Sequence, residues 1–159
     1  MPTLQPLRRR PRVSRQVGNV TIDHADIRAM SNATITLVTG APCSGKSTYV
    51  AEHKAKRDVV IDYDAIAVAL GSPNTHDHPK SLVPYILNAR DSLLDRIASK
   101  RPTTNVWIVA CAPSTQEQQL ADTTITLDTD MDTCIARAHD EGRPAPWPGL
   151  IREWFVSHM

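Results

Sequence analysis

An α/β domain built on a mostly parallel, helix-covered sheet is the fold class this sequence predicts, and three observations predict it. From residue 33 onward, short β-branched apolar runs alternate with segments of helical periodicity. The run at 105–110 is nearly all apolar, as expected of a strand buried on both faces. Between the first strand and the first helix lies Gly40-Ala41-Pro42-Cys43-Ser44-Gly45-Lys46-Ser47, which fits G-x-x-x-x-G-K-[ST]. A chain of 159 residues with 41% hydrophobic content can bury one good core and is most simply one domain, residues 30–159, preceded by a basic arm at 1–29.

The elements follow in order. Residues 1–17 are rich in Pro and Arg and are expected to be unstructured; 18–27 alternates weakly and marks at most a short edge strand. Ile35 to Thr39 is the first strand, and the segment from Ser47 to Lys54 is the first helix. Asp58 to Asp62 is the second strand. A short helix runs from Asp64 to Leu70 and is stopped by the breaker cluster Gly71-Ser72-Pro73-Asn74. A longer helix carries Leu82, Val83, Ile86, Leu87, Leu93, Leu94 and Ile97 as its apolar stripe, with Ser81 as the expected N-cap and Pro84 in the first turn. The strand at 105–110 comes next, then a helix at 114–120 and a fourth strand at 123–127. A helix at 131–138, the loop 140–146 and a final amphipathic helix at 151–156 complete a sheet of four to five strands.

The glycine-bounded loop carries the chemistry. Gly40 and Gly45 permit backbone angles that a Cβ obstructs, so successive N–H groups can turn inward around an anion. The following helix N-terminus adds partial positive charge, Lys46 a full charge, and the Ser47 hydroxyl is placed for Mg²⁺. Gly40 through Thr48 is therefore the expected binding segment for a nucleoside triphosphate, and the fold becomes a P-loop three-layer sandwich.

The bulk numbers narrow the setting. Aromatic residues make up only 4% of the chain, so the core draws on Val, Ile, Leu and Ala. No apolar run approaches the roughly 20 residues of a membrane span, and Arg8-Arg9-Arg10 is not followed by the apolar segment of a secretory signal. Three widely spaced cysteines, Cys43, Cys111 and Cys134, fit reduced thiols and a cytoplasmic location. The net charge of +1 hides an asymmetry. Residues 1–29 hold six arginines against two aspartates, a local charge of +4, and the remainder carries −3. Such an arm can touch nucleic acid; a disordered leader, or initiation at Met30, is the plainer alternative.

Asp62 and Asp64 stand at the carboxyl end of the second strand, where open α/β sheets bind their ligands. A carboxylate there, 18 residues beyond Lys46 in the case of Asp64, can take the proton from a hydroxyl attacking a γ-phosphate. Asp64 also suits the cap of the helix that follows. His76 and His78 flank Asp77 in an expected turn and are expected to be exposed; they lack the further ligands of a zinc site, and contact of His76 or His78 with an acceptor substrate is the secondary reading. Cys43 lies near a helix N-terminus, a place that lowers a thiol pKa. Cys111 and Cys134 read as small core residues.

The segment from Gly40 to Thr48, a short helix, and then Val60-Ile61-Asp62-Tyr63-Asp64 resemble the small P-loop kinases related to polynucleotide 5′-hydroxyl kinase, a superfamily that includes gluconate-kinase-like and zeta-toxin-like phosphotransferases. The whole also resembles small predicted ATP-binding proteins of phages. The resemblance covers roughly residues 34–155. It implies ATP as the nucleotide, Asp64 as the base that activates the acceptor hydroxyl, and Arg137 and Arg143 as arginines of a short lid closing over the triphosphate. A positioned guanidinium stabilises the charge spread over a transferring phosphoryl group, so the lid arginines also make physical sense. Two positions depart from the family pattern. Cys111-Ala112-Pro113 follows the third strand where an acid is usual, so either Asp62 takes over the metal role beside Ser47 or the acceptor site is built differently; and Ala67 stands where an arginine is usual.

The function expected is a Mg-ATP-dependent phosphotransferase acting on a hydroxyl of a nucleoside, nucleotide or polynucleotide, with Lys46, Asp64, Arg137 and Arg143 in catalysis. The alternatives are an ATPase serving a nucleic-acid enzyme and a nucleotide-binding module without turnover.

Overall fold

The computed structural model describes residues 14–17, 20–23 and 33–159. β1 (Ser14–Val17) and β2 (Val20–Asp23) form an antiparallel pair in the register Ser14↔Asp23 to Val17↔Val20. Residues 14–17 were expected to be unstructured and instead pair locally, across a connection short enough for a hairpin. β2 falls within the weakly alternating stretch, yet its partner is β1 and not the main sheet. The rest of the basic arm at 1–29, including Arg8 to Arg12 and Arg28, lies outside the described residues.

The main sheet has four parallel strands among the described residues, in the order β4-β5-β3-β6. β3 (Ile35–Thr39) is central, pairing with β5 (Val106–Ala110) from Ile35↔Val106 to Thr39↔Ala110, and with β6 (Thr123–Thr126) on its other side. β4 (Val59–Asp62) pairs with the outer edge of β5. The helices are α1 (Lys46–His53), α2 (Tyr63–Ala69), α3 (Val83–Ser99), α4 (Thr115–Leu120), α5 (Met131–Asp140) and α6 (Trp147–Ser157).

Alternation along the strands sorts the core into two faces. Ile35, Leu37, Ile61, Val106 and Ile108 meet Leu94 and Ile97 of α3 on one face, while Val38 and Val109 meet Val50 of α1 on the other. A third cluster joins α5 and α6 to the loop after β3 through Ala41, Cys134, Ala138 and Ile151. Cys134 is fully buried there, as expected of a small core residue; Cys111 is only half-buried.

Several boundaries moved, two of them for a local reason. α3 begins at Val83 after a single 3₁₀ turn at Lys80–Leu82, so Ser81 sits inside that turn and makes no cap; Pro84 occupies the first turn, where its missing N–H costs nothing. α6 begins at Trp147 rather than near Ile151, because Pro148 likewise fits a first turn. α5 runs two residues further than expected, to Asp140. Among the described residues no helix is long and apolar enough to cross a membrane.

The start of the sheet is held by one carboxylate. Asp122 accepts from the Ile35 amide (2.8 Å) and from both guanidinium nitrogens of Arg101 (3.0 and 2.5 Å), and Arg101 also reaches the Ala33 carbonyl (3.0 Å). The Arg101 hydrogen bonds, then the Ile35 amide, hold the Asp122 carboxyl below its usual range. Asp58 is held low as well. Burial works against its charge, but the Trp107 indole (2.9 Å) and Ala55 amide (2.8 Å) outweigh it. A depressed carboxylate contributes stability above its unfolded pKa and loses it as pH falls through the folded value. The melting temperature is therefore expected to be level from about pH 7 to 5 and to fall below about pH 4, with a shallower fall in Asp122→Asn. Thermal melts by circular dichroism across that range check it.

Candidate functional site

The connection from β3 to α1 folds back on itself through two left-handed residues, Cys43 (φ 61°) and Gly45 (φ 95°), with Gly40 at φ 151°. Cys43 is the non-glycine residue there, a conformation that costs energy for a side chain with a Cβ. The Ser44 amide donates to the Ala41 carbonyl (3.1 Å), and the Thr129 hydroxyl donates to the Ser44 carbonyl (2.9 Å), anchoring the turn to the segment after β6. Lys46 is buried, and its ammonium donates to the carbonyls of Gly40 (3.1 Å) and Ala41 (2.7 Å) and approaches Ser44 Oγ (3.4 Å). The charge thus sits inside the turn rather than in solvent. Pro42 to Thr48 face a broad open cleft, whereas Gly40 and Ala41 lie buried beneath it.

Gly40 has no room for a side chain. A Cβ there stands 2.8 Å from Ser44 Oγ and 3.1 Å from the Leu127 carbonyl oxygen. Gly40→Ala is expected to cost about 1–3 kcal/mol of stability through strain and clash; denaturant unfolding measures it, and an unchanged midpoint contradicts it.

Opposite the loop, the end of β4 and the first turn of α2 bring Asp62 and Asp64 to the cleft. Asp62 accepts from the Ser47 hydroxyl through Oδ2 (2.9 Å) and from the Asp64 amide through Oδ1 (3.0 Å). Asp62 is therefore the N-cap of α2, not Asp64. That frees the Asp64 carboxylate from capping. His76 Nδ1 meets its Oδ2 at 3.1 Å, and His78 Nε2 meets its Oδ1 at 2.7 Å. Both histidines were expected to be exposed; His76 is partly buried and the His78 side chain is 6% exposed.

The two arginines line the same cleft. Arg137, on the exposed side of α5, donates to the Cys43 carbonyl (3.3 Å) and lies 3.3 Å from where a Cβ on Gly45 would stand. Arg143, in the α5–α6 connection, pairs with Glu141 (2.7 Å) and lies 4.4 Å over the Trp147 ring. Cys43 faces this cationic group, yet burial raises its thiol above the ordinary value. Arg143 and Lys46 pull the other way, and Glu141 reinforces the rise. The lowered thiol expected from the helix N-terminus is overturned by desolvation. Cys134 is raised for the same reason, burial first.

Arg90 and Glu117 had no part in the expected site. They form a buried ion pair on the cleft wall, and Arg90 also donates to the Val109 carbonyl (3.3 Å) at the end of β5. Glu117 is tied down by a capping box with Ser114. That S-x-x-E spacing was the sequence signal that would have found it. It places a carboxylate near the end of β5 from α4, although the strand itself ends without one.

Among the described residues no three His, Cys, Asp or Glu side chains converge as a metal cage. The Ser47 hydroxyl and Asp62 carboxylate are hard oxygen donors 2.9 Å apart, with Ser47 exposed. Such a pair fits an ion like Mg²⁺, which keeps most of its water and takes one or two protein ligands.

No protein-family model matches the chain, and no curated protein matches it. Among solved structures, it is similar to a chain in the Pnkp1/Rnl/Hen1 RNA repair complex, with a TM-score of 0.59 and 17% identity over 78% of this chain and 43% of that one. A second chain, from a structure of the Pnkp1/Rnl/Hen1 complex, matches at a TM-score of 0.49 with 20% identity, over 67% of this chain and 39% of that one. The first likeness is one of fold. This chain spans less than half the length of each of these two chains.

Proposed function

We propose that the protein is a P-loop phosphotransferase that moves the γ-phosphate of Mg-ATP to a hydroxyl of a nucleoside, nucleotide or polynucleotide. The observation that carries this is the cleft itself, where Lys46 and the loop, Asp64, Arg137 and Arg143 line one cavity. The fold-level likeness to a chain of an RNA repair complex supports an acceptor related to nucleic acid.

The loop from Gly40 to Thr48 binds the triphosphate through amides and the Lys46 ammonium, an anion site made of backbone N–H groups and one fixed charge. Ser47 and Asp62 hold Mg²⁺, which neutralises charge on the phosphates when bound. The acceptor hydroxyl donates its hydrogen to the Asp64 carboxylate as its oxygen bonds to the γ-phosphorus. The bond from that phosphorus to the β–γ bridging oxygen breaks, ADP leaves, and Asp64 retains the proton. Arg137 on α5 and Arg143 in the α5–α6 connection line the same cleft, and their guanidinium groups stabilise the charge on the transferring group.

Transfer of labelled γ-phosphate to a panel of 5′-hydroxyl DNA and RNA, nucleosides and sugars tests this. Label on an acceptor is expected. Release of label only as free phosphate points instead to an ATPase.

A further inference from the structure

The segment after α2 does more than end a helix. The Ser72 amide donates to the Ala67 carbonyl (2.9 Å) and the Gly71 amide to the Val68 carbonyl (3.0 Å), with Gly71 left-handed at φ 105°. This turn reverses the chain, and residues 72–79 run back along α2 toward its N-terminus. The alternation His76-Asp77-His78 then presents both imidazoles to one carboxylate, that of Asp64.

The two imidazoles are not equivalent. The His78 side chain is 6% exposed and has both ring nitrogens engaged: Nε2 with Asp64 Oδ1 and Nδ1 with Ser72 Oγ, each at 2.7 Å. Ser72 is itself buried, and its Oγ also lies 3.0 Å from the Asn74 carbonyl oxygen. The Tyr63 ring lies against His78 at 5.9 Å between centroids. His76 is about one-third exposed, makes its bond to Oδ2 at the longer distance of 3.1 Å, and meets Trp147 edge-on. Water satisfies an ordinary half-exposed aspartate, so nothing about folding alone demands a buried imidazole on it.

We infer that His78, fixed in turn by Ser72, is a positioning residue that sets the direction of the Asp64 carboxylate, so that Oδ2, which His76 meets at the longer distance of 3.1 Å, is the oxygen that takes the proton in the cleft. An ionised carboxylate only accepts, so His78 donates from Nε2. A donor locked on Oδ1 removes rotation about the terminal carboxyl torsion, which is broad when unrestrained. A general base works only when its oxygen lies within hydrogen-bond reach of the proton it takes, and a misplacement of about 1 Å can cost about a hundredfold in rate. The relation of Ser72 and His78 to Asp64 matches the way outer partners orient a working ligand, where their loss costs about 10–100-fold.

This inference rests on Asp64 being the base, and the experiment separates the two. ADP release from Mg-ATP is followed with the full chain, with water alone and with a saturating 5′-hydroxyl oligonucleotide, for wild type, Asp64→Asn, His78→Ala, His78→Gln and Ser72→Ala. His78→Ala is expected to lower kcat about 10–100-fold with KM for ATP within about twofold. His78→Gln, whose amide can donate to Oδ1, is expected to recover most of that loss, and a simple packing defect would not be rescued this way. Ser72→Ala is expected to lose about threefold to tenfold in kcat, and it carries the test if His78→Ala fails to fold by thermal melting. Asp64→Asn inactive with His78→Ala fully active overturns the positioning role while leaving the base in place. So does His78→Gln no better than His78→Ala at an unchanged melting temperature. Asp64→Asn as active as wild type, or a wild type that releases no ADP, overturns the base assignment and this inference with it.

Discussion

Lys46→Ala is expected to weaken Mg-ATP binding by at least about a hundredfold, or about 2.7 kcal/mol. The side chain is buried with its ammonium 2.7 Å from the Ala41 carbonyl and 3.1 Å from that of Gly40. It is a full charge held in a loop whose remaining donors are partial dipoles, and a triphosphate is recognised there chiefly through charge. Removing it deletes the one formal cation the loop contains. Stability should move little, because losing a buried ammonium relieves desolvation while leaving two carbonyls short of a donor, and these oppose each other. Titration calorimetry with Mg-ATP reads the affinity, and a melting curve reads the fold. Unchanged affinity in a folded variant would contradict the loop's assigned role.

Asp64→Asn is expected to keep nucleotide affinity within about threefold while lowering phosphoryl transfer by about 10²–10⁴, the usual worth of a positioned acid–base group. The substitution conserves shape but removes the ability to take a proton. It also places an amide N–H₂ where His76 or His78 needs an acceptor, so the network that now meets both carboxylate oxygens at 3.1 and 2.7 Å must rearrange. Binding and chemistry should therefore separate between the two variants: Lys46→Ala acts on affinity, and Asp64→Asn on the rate at saturating Mg-ATP. Single-turnover kinetics at saturation resolve the second effect. A variant that transfers at the wild-type rate would remove Asp64 from the mechanism.

The sheet was legible because its signals are local. Residues 35–39, 58–62, 105–110 and 123–127 carry the apolar, β-branched pattern of strands, and β3 to β6 lie within those bounds. The turn between β3 and α1 was legible because glycines at 40 and 45 permit the positive φ angles the chain adopts there. What the sequence hid depends on distance in the chain. Asp62 and Asp64 have the same type and sit two apart; Asp62 caps α2 while also meeting the Ser47 hydroxyl, 15 residues away, and both line the cleft. His76 and His78 looked like solvated loop residues, since nothing local tells that the turn at Gly71 brings the chain back across α2. The Arg90–Glu117 pair spans 27 residues and joins two helices, so neither partner announces the other. The Cys43 thiol went the other way from its expected shift because burial from α5 and α6 outweighs the adjacent helix end. In each case the missing information was tertiary packing, which local pattern does not encode.

The measurement that bears most directly on the proposed function is where the γ-phosphate goes. Wild type and Asp64→Asn are each incubated with Mg-ATP labelled at the γ-position and a mixture of 5′-hydroxyl RNA, 5′-hydroxyl DNA and nucleosides, and the label is partitioned between acceptor and free phosphate. Label on an acceptor in wild type, lost in an Asp64→Asn variant that still binds Mg-ATP, is the predicted result. Label that appears only as free phosphate, at the same rate in both proteins, would contradict a phosphotransferase with Asp64 as its base.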